Sequence, residues 1–316
     1  MAKKLSFLNK LALNKESLEG GHRLCPGCGH SIIIRMVLNT ALQEGYQPVM
    51  SNATGCLEVC TGLYPYSSWN IPWIHNAFEN AAATISGAEA MYRSLSRRGK
   101  LDNDKIVFIA FGSDGGTYDI GLQALSGAAE RGHRFLYVCD DNEAYQNTGN
   151  QRSSATPYGT RTTTSAVGAI DPIGKKQKRK EIVEIMGAHG IYAAQASPSH
   201  WMDLIKKVKK GLKQNGPAYL NVIQPCTTGW GYDPKDTINY AKLAVETCIW
   251  PLYEIENRRS KVNVKPKNKL PVEAYLKGQK RYAHLFTPQG KETLERIQKL
   301  TDERWEFLLE REKAGF

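Results

Sequence analysis

Two apolar runs constrain the fold of this chain more than anything else in it: Lys105-Ile106-Val107-Phe108-Ile109-Ala110-Phe111 and Arg134-Phe135-Leu136-Tyr137-Val138-Cys139. A strand with one wet face alternates apolar with polar residues, whereas a strand covered on both faces has no need to. Between the runs lie a glycine loop, Gly112-Ser113-Asp114-Gly115-Gly116, and a segment from about Thr117 to Arg131 that reads as a helix. Strand, helix and strand of this kind make the repeating unit of a parallel sheet with helices on both faces. The pattern further predicts helices near 30–43, 79–95, 178–187 and 198–213, and strands near 191–195 and 218–224. The expected class is therefore α/β, with a mostly parallel sheet. Residues 1–22 read as a polar, extended lead-in. Residues 52–75, rich in Gly, Pro, Cys, Tyr and Trp, show no period, and so long an irregular stretch in a compact domain is usually functional. After Cys226 the texture changes to Pro, Lys, Asn and Tyr, with a helix resuming over 291–312. Two parts are expected: 1–226 as the main domain and 227–316 as an irregular C-terminal arm on a partner subunit, the alternative being a small peripheral lobe.

The glycine loop carries the first candidate site. In a doubly wound sheet, ligands bind beyond the carboxyl ends of the strands. Asp114 follows one predicted strand and Asn142 the next. If those strands are neighbours, both side-chain oxygens reach the same crevice. Mg²⁺ favours oxygen ligands and completes its shell with water and phosphate; the carbonyl of Ala144 is the natural third donor. Gly115 and Gly116 would let a diphosphate approach, and the helix beyond would offer it free N–H groups. A glycine loop alone fits a plain tight turn equally well; Asn142 is what argues for a site.

The second candidate site is soft. Cys25-Pro26-Gly27-Cys28-Gly29 places two thiols in one turn. Further thiolates must come from Cys56, Cys60, Cys139, Cys226 or Cys248. Cys139 and Cys248 sit in apolar surroundings and read as core thiols. Cys56 and Cys226 lie beside Gly or Pro in irregular segments, and Cys60, four residues beyond Cys56, is its possible substitute. Four thiolates suit either Zn²⁺ or a [4Fe–4S] cluster, and spacing alone does not choose between them.

Composition sets outer bounds. The chain has 316 residues, 41% of them hydrophobic and 23% charged, as in a globular protein. Seven cysteines are too few and too uneven for a disulfide scaffold. The N-terminus lacks a signal-like apolar core and no run of 18 apolar residues occurs, so a cytoplasmic protein without a membrane span is expected. The net charge is +11. Its basic clusters, 175–180 and 206–213, lack the aromatic interleaving or zinc-finger spacing of nucleic-acid binding, and the second is expected to be the solvated face of a helix.

Taken together, Cys25-Pro26-Gly27-Cys28-Gly29-His30, Asn52-Ala53-Thr54-Gly55-Cys56-Leu57-Glu58-Val59, Tyr64-Pro65-Tyr66, Ile74-His75-Asn76-Ala77-Phe78-Glu79-Asn80-Ala81, the Gly-Ser-Asp-Gly…Asp-Asn pattern and Tyr145-Gln146-Asn147-Thr148-Gly149-Asn150-Gln151-Arg152-Ser153 resemble the β subunit of pyruvate:ferredoxin oxidoreductase. The likeness covers roughly residues 20–230. It implies a thiamine-diphosphate-binding fold with Mg²⁺ and a [4Fe–4S] cluster. By position it implies Cys25, Cys28, Cys56 and Cys226 as cluster ligands. Asp114, Asn142 and the Ala144 carbonyl would hold Mg²⁺. His30, Cys56, Ser113, Asp114, Gly115, Gly116 and Asn142 to Asn147 would line the cofactor, and Asn147 would face the reacting carbon as the catalytic side chain.

The implied reaction is oxidative decarboxylation of pyruvate to acetyl-coenzyme A and CO₂, reversible, with ferredoxin as electron acceptor. Partners would be α-, γ- and δ-type subunits of the same complex. One of them would supply the glutamate that activates the cofactor, since Glu58, read as a loop residue, and Glu79, read as a helix N-terminal residue, look structural. Some members carry an acidic residue at the position of His30, and Arg161 stands where an apolar residue is usual. A different 2-oxoacid, such as 2-oxobutyrate, an aromatic oxoacid or oxalate, is therefore a second reading. A third, of another class, is a zinc-stabilised scaffold subunit without catalysis.

Overall fold

A computed structural model describes residues 16–101 and 103–316. Most of the lead-in expected over 1–22 lies outside these residues. Among the described residues one sheet holds eight strands: β1 (Gln47–Ala53), β2 (Trp73–Asn76), β3 (Ile106–Ser113), β4 (Leu136–Asp141), β5 (Tyr192–Ala196), β6 (Ala218–Ile223), β7 (Tyr253–Glu256) and β8 (Arg259–Val262). Their order is β2-β1-β3-β4-β6-β5-β7-β8, parallel from β2 to β5, with β7 and β8 antiparallel at one edge.

The alternation along β3 shows why its sequence has no polar gaps. Val107, Ile109 and Phe111 enter one core with Ile33, Val37, Leu38, Val138 and Leu220, while Phe108 and Ala110 enter the other with Ala82, Ile85, Tyr137 and Tyr219. Successive side chains of a strand point to opposite faces, so a layer of helices must close each one. Helices α1 (Gly29–Gln43) and α6 (Trp201–Leu212) supply residues to the first core; α3 (Ala81–Arg97), α4 (Leu122–Glu130) and α5 (Ile182–Ala188) supply the second. No described helix is long and apolar enough to cross a membrane.

Two expectations fail in the stretch 52–75. Cys56–Thr61 forms a short helix, α2, and Trp73–Asn76 adds β2 beside β1. Both are too short to impose a period, and β2 is an edge strand with a half-wet surface. The boundary at residue 226 does not separate an irregular arm from the sheet. Chain beyond it supplies β7 and β8, helices α7 (Thr237–Glu246), α8 (Glu273–Leu276) and α9 (Lys291–Ala314), and most of a third core built on Trp230, Tyr240, Trp250, Tyr275 and Tyr282. Aromatic residues dispersed through short turns bury large areas without leaving a periodic signature.

The basic clusters are also not simply solvated. Lys207 is 1% exposed and pairs with Asp203 at 2.7 Å. Lys209 meets Glu44, and Lys210 bridges Glu254 and Glu256. Lys175 is buried as well, and Arg179 contacts Asp141 and Glu143.

Candidate functional site

The C-terminal ends of β1, β3, β4 and β6 stand side by side, so their following turns share one rim. The turns contain Thr54 to Cys56, Asp114 to Gly116, Asn142 to Asn147 and Gln224 to Gly229. Cys56, Ser113 to Gly116, Asn142 to Asn147 and Cys226 arrive here because the strands that carry or precede them end here. Cys25, Cys28 and His30 come in through the turn before α1, where Thr237 Oγ1 donates to the Gly27 carbonyl at 2.6 Å and Thr227 Oγ1 to the Pro26 carbonyl at 3.3 Å.

β3 and β4 are neighbours, as the hard-ligand reading required. Asp114 is wholly buried, and Asn142 and Ala144 nearly so. The Asn142 side-chain amide lies 3.0 Å from Asp114 Oδ1 and 2.6 Å from the Ala144 carbonyl oxygen. With its nitrogen inward the amide donates to both. With its oxygen inward, three oxygens converge with no proton between them, an arrangement that suits a cation. The other carboxylate oxygen of Asp114 accepts from Ser153 Oγ. Burial, then the charge of Asp141, push the Asp114 carboxyl well above the usual carboxylate range.

Packing also requires the glycines. A Cβ on Gly115 would stand 2.3 Å from the Tyr145 ring, and one on Gly116 would stand 2.9 Å from the Phe78 carbonyl oxygen. The chain turns straight from β3 into a wide helical turn, Gly115–Asp119, and α4 begins only at Leu122, so the helix expected from Thr117 is split. Tyr145 packs on Phe78 with ring centres 5.7 Å apart.

Two cavities open on this rim. One, of about 180 Å³, is lined by Gly55, Cys56, Phe78, Ser113, Asn142, Ala144 and Tyr145. The other, of about 320 Å³, is lined by Cys25, Cys28, Cys56, Cys60 and Cys226, with His30. Asn142, Gln146, Asn147 and Cys56 face both, so the two cavities share a wall. All four expected thiols line the second cavity, and Cys60 lines it as a fifth. Cys139 and Cys248 are core thiols, as read from sequence. Arg161 lines neither cavity and is exposed. Among the described residues no three His, Cys, Asp or Glu side chains form a site for a metal ion.

The thiols have donors nearby. Gly229 N–H donates to Cys226 Sγ at 3.3 Å; Gln224 Nε2 lies 3.6 Å from Cys28 Sγ, and Thr228 Oγ1 lies 3.7 Å from Cys25 Sγ. Burial pushes the Cys56 thiol up to about 12 and also raises Cys226. Cys28 moves the other way. Burial would raise it, but the adjacent His30 more than offsets this. His30 is expected to line the cofactor, yet both its ring nitrogens are engaged by protein, Nδ1 facing Cys28 Sγ at 3.3 Å and Nε2 bonded to Asp140. Burial would lower its pKa, but Asp140 and Cys28 hold it well above the usual range.

Glu58 sits in the first turn of α2, not in a loop, and lies 3.6 Å from His75 Nε2. Glu79 precedes α3, whose N-cap is Asn80. Sequence reasoning missed Ser153, Gln224 and Trp230. Trp230 had a signal, a large aromatic residue between two glycines, four residues beyond a candidate ligand.

Residues 53–222 match the family described as thiamine pyrophosphate enzyme, C-terminal TPP binding domain. The chain is 53% identical to pyruvate synthase subunit PorB of Thermotoga maritima, over 93% of this chain and 91% of the relative. It is 53% identical to the PorB subunit of Methanocaldococcus jannaschii, over 93% and 97%. Ketoisovalerate oxidoreductase subunit VorB of Pyrococcus abyssi is 42% identical over 93% of each chain. The fold is shared with a solved 2-oxoglutarate:ferredoxin oxidoreductase of Magnetococcus marinus, at a TM-score of 0.55 and 20% identity, over 86% of this chain and 94% of that one.

Proposed function

Because the chain belongs to the 2-oxoacid:ferredoxin oxidoreductases as a β subunit, with a thiamine-diphosphate-binding domain, we propose that it binds Mg²⁺ and thiamine diphosphate at the Asp114–Asn142–Ala144 oxygens, carries a [4Fe–4S] cluster on Cys25, Cys28, Cys56 and Cys226, and acts on pyruvate. The observation that carries this reading is the wall shared by the thiol-lined cavity and the largely apolar cavity that Ser113, Asn142 and Ala144 border.

The donor sets fit. An Asn142 oxygen turned inward would complete three oxygen ligands, and a cation there would favour the ionised form of buried Asp114. The thiols ring a cavity of about 320 Å³. Zinc draws its thiolates to one point at ~2.3 Å, whereas a four-iron cube takes one thiolate per iron and needs room. The Gly229 N–H on Cys226 suits thiolate stabilisation around a cluster. This weighs against the zinc scaffold.

Thiamine diphosphate, when bound, supplies the carbon nucleophile and electron sink, and a [4Fe–4S] cluster supplies single-electron capacity. The chain's own residues do the remaining work. Asp114 and Asn142 would hold the Mg²⁺ whose charge would offset that of the diphosphate. Phe78 and Tyr145 form an apolar wall that excludes water. Asn147, on the shared wall, offers amide donors to the substrate oxygens and is the catalytic candidate. Neither cavity is lined by a described Asp or Glu side chain. Glu58 lies against His75, and Glu143 is tied to Arg179 and Arg281. The activating carboxylate is thus assigned to a partner subunit, with α-, γ- and δ-type chains completing the complex in the cytoplasm. Coenzyme A takes the acyl group and ferredoxin the electrons.

Pyruvate is preferred because pyruvate synthase subunits match at 42–53% identity, equal to or above the 42% of the ketoisovalerate subunit. Arg161, lying outside both cavities, gives no anchor for a second carboxylate. The test is ferredoxin reduction by the purified complex with a panel of 2-oxoacids plus coenzyme A. Pyruvate should give the highest kcat/KM; a higher value for a branched or dicarboxylic acid would move the assignment.

A further inference from the structure

We propose that Trp230 is a positioning residue that sets the orientation of Asn142 at the Mg²⁺ site; the inference rests on the cofactor reading above. Trp230 Nε1–H donates to the Asn142 main-chain carbonyl at 2.9 Å, and Gln146 Nε2 donates to the same oxygen at 3.2 Å. Two donors on one carbonyl fix the peptide from which the Asn142 side chain projects toward Asp114 and Ala144. The indole is itself held from three sides. The Arg281 guanidinium lies 3.9 Å from its ring centre, Tyr275 packs edge-on with ring centres 6.1 Å apart, and Tyr232 packs at a tilt with ring centres 6.1 Å apart.

The residue after Asn142 is clamped by the same group. Glu143 has a φ of +66°, a conformation non-glycine residues seldom adopt. It is kept there by Arg281 Nη2 at 2.7 Å, Arg179 Nη1 at 3.2 Å and the Tyr275 hydroxyl at 3.4 Å. Trp230, Arg281 and Glu143 are all nearly or wholly buried. Arg281 therefore braces both ends of one unit, the indole that holds residue 142 and the carboxylate of residue 143. Because Trp230 belongs to the turn that starts at Cys226, the orientation of a hard ligand is tied to the placement of a soft one.

Trp230→Phe removes the N–H and keeps a ring under Arg281. The experiment uses the whole complex stripped of cofactor, with thiamine diphosphate binding measured calorimetrically across a Mg²⁺ series. Loss of one hydrogen bond to the carbonyl should raise the Mg²⁺ needed for half-saturation about five- to tenfold. Because Trp230 is wholly buried in the third core, the melting temperature of the cofactor-free complex should fall as well. Raised Mg²⁺ should restore wild-type thiamine diphosphate affinity, as a defect in metal placement allows and a general packing loss does not. Wild-type Mg²⁺ dependence in Trp230→Phe, or an affinity loss that no Mg²⁺ concentration restores, overturns the inference. A wild-type complex that binds no thiamine diphosphate with Mg²⁺ overturns the cofactor reading itself. Should Trp230→Phe fail to assemble, Arg281→Lys keeps a cation at Glu143 but loses the plane over the indole. It must show the same Mg²⁺-reversible loss, and unaltered Mg²⁺ dependence there overturns the proposal.

Discussion

At the scale of single residues, the site depends on what small side chains leave room for. Gly115 is the clearest case: the Tyr145 ring fills the volume a methyl group would need, and Tyr145 lines the cavity that Ser113, Asn142 and Ala144 border. Gly115→Ala should therefore displace an aromatic wall, at a cost of about 1–3 kcal/mol in stability, with weaker thiamine diphosphate retention. Chemical denaturation and cofactor analysis of the same preparation would check both, and an unchanged midpoint would contradict the packing account. The Asp114–Asn142 pair was legible in the sequence because two strand ends announced it. The competing use of His30 was not. Its bond to Asp140 joins positions 110 apart in sequence, and no local pattern encodes such a contact.

At the scale of elements, long buried strands and the helices between them were readable, because β3 and β4 bury both faces and α6 shows one apolar side. The short elements α2 and β2 were not, since each is held by its neighbours rather than by its own period. The C-terminal helix α9 shows the same dependence on tertiary context. Leu308 is wholly buried and joins the core that contains Tyr253 and Val262, while Arg304 and Arg311 pair with Glu184 of α5. Leu308→Ala should cost about 2–5 kcal/mol, read as a lower denaturation midpoint of the entire domain. A separate early transition, with the rest unaltered, would restore the picture of a detachable arm.

For the molecule as a whole, several of the 42 basic residues behind the +11 charge lie in internal networks. Lys175 is the extreme: buried, donating to the Thr156 carbonyl, and lowered to about 7 by burial first and then by Arg152 and Arg179. Its folded pKa lies below the unfolded value. Between about 7 and 10.5 the unfolded chain holds the extra proton, so this group's contribution to stability rises with pH across that window. The melting-temperature difference between wild type and Lys175→Met should shift in favour of wild type from pH 7 to pH 9. A constant difference would mean that Lys175 stays charged in the fold. Such charges could not be separated from solvated ones in sequence, because burial is decided by the chain packed above them.

The central claim is that one chain holds its two cofactors on either side of a single wall. Electron paramagnetic resonance of the anaerobic complex mixed with pyruvate, without ferredoxin, tests it most directly. The wild type should give a reduced-cluster signal, Asp114→Ala should give none although its iron content is normal, and Cys226→Ser should lose iron and fail to pass electrons onward. A pyruvate-induced signal of wild-type size in both variants would contradict the account.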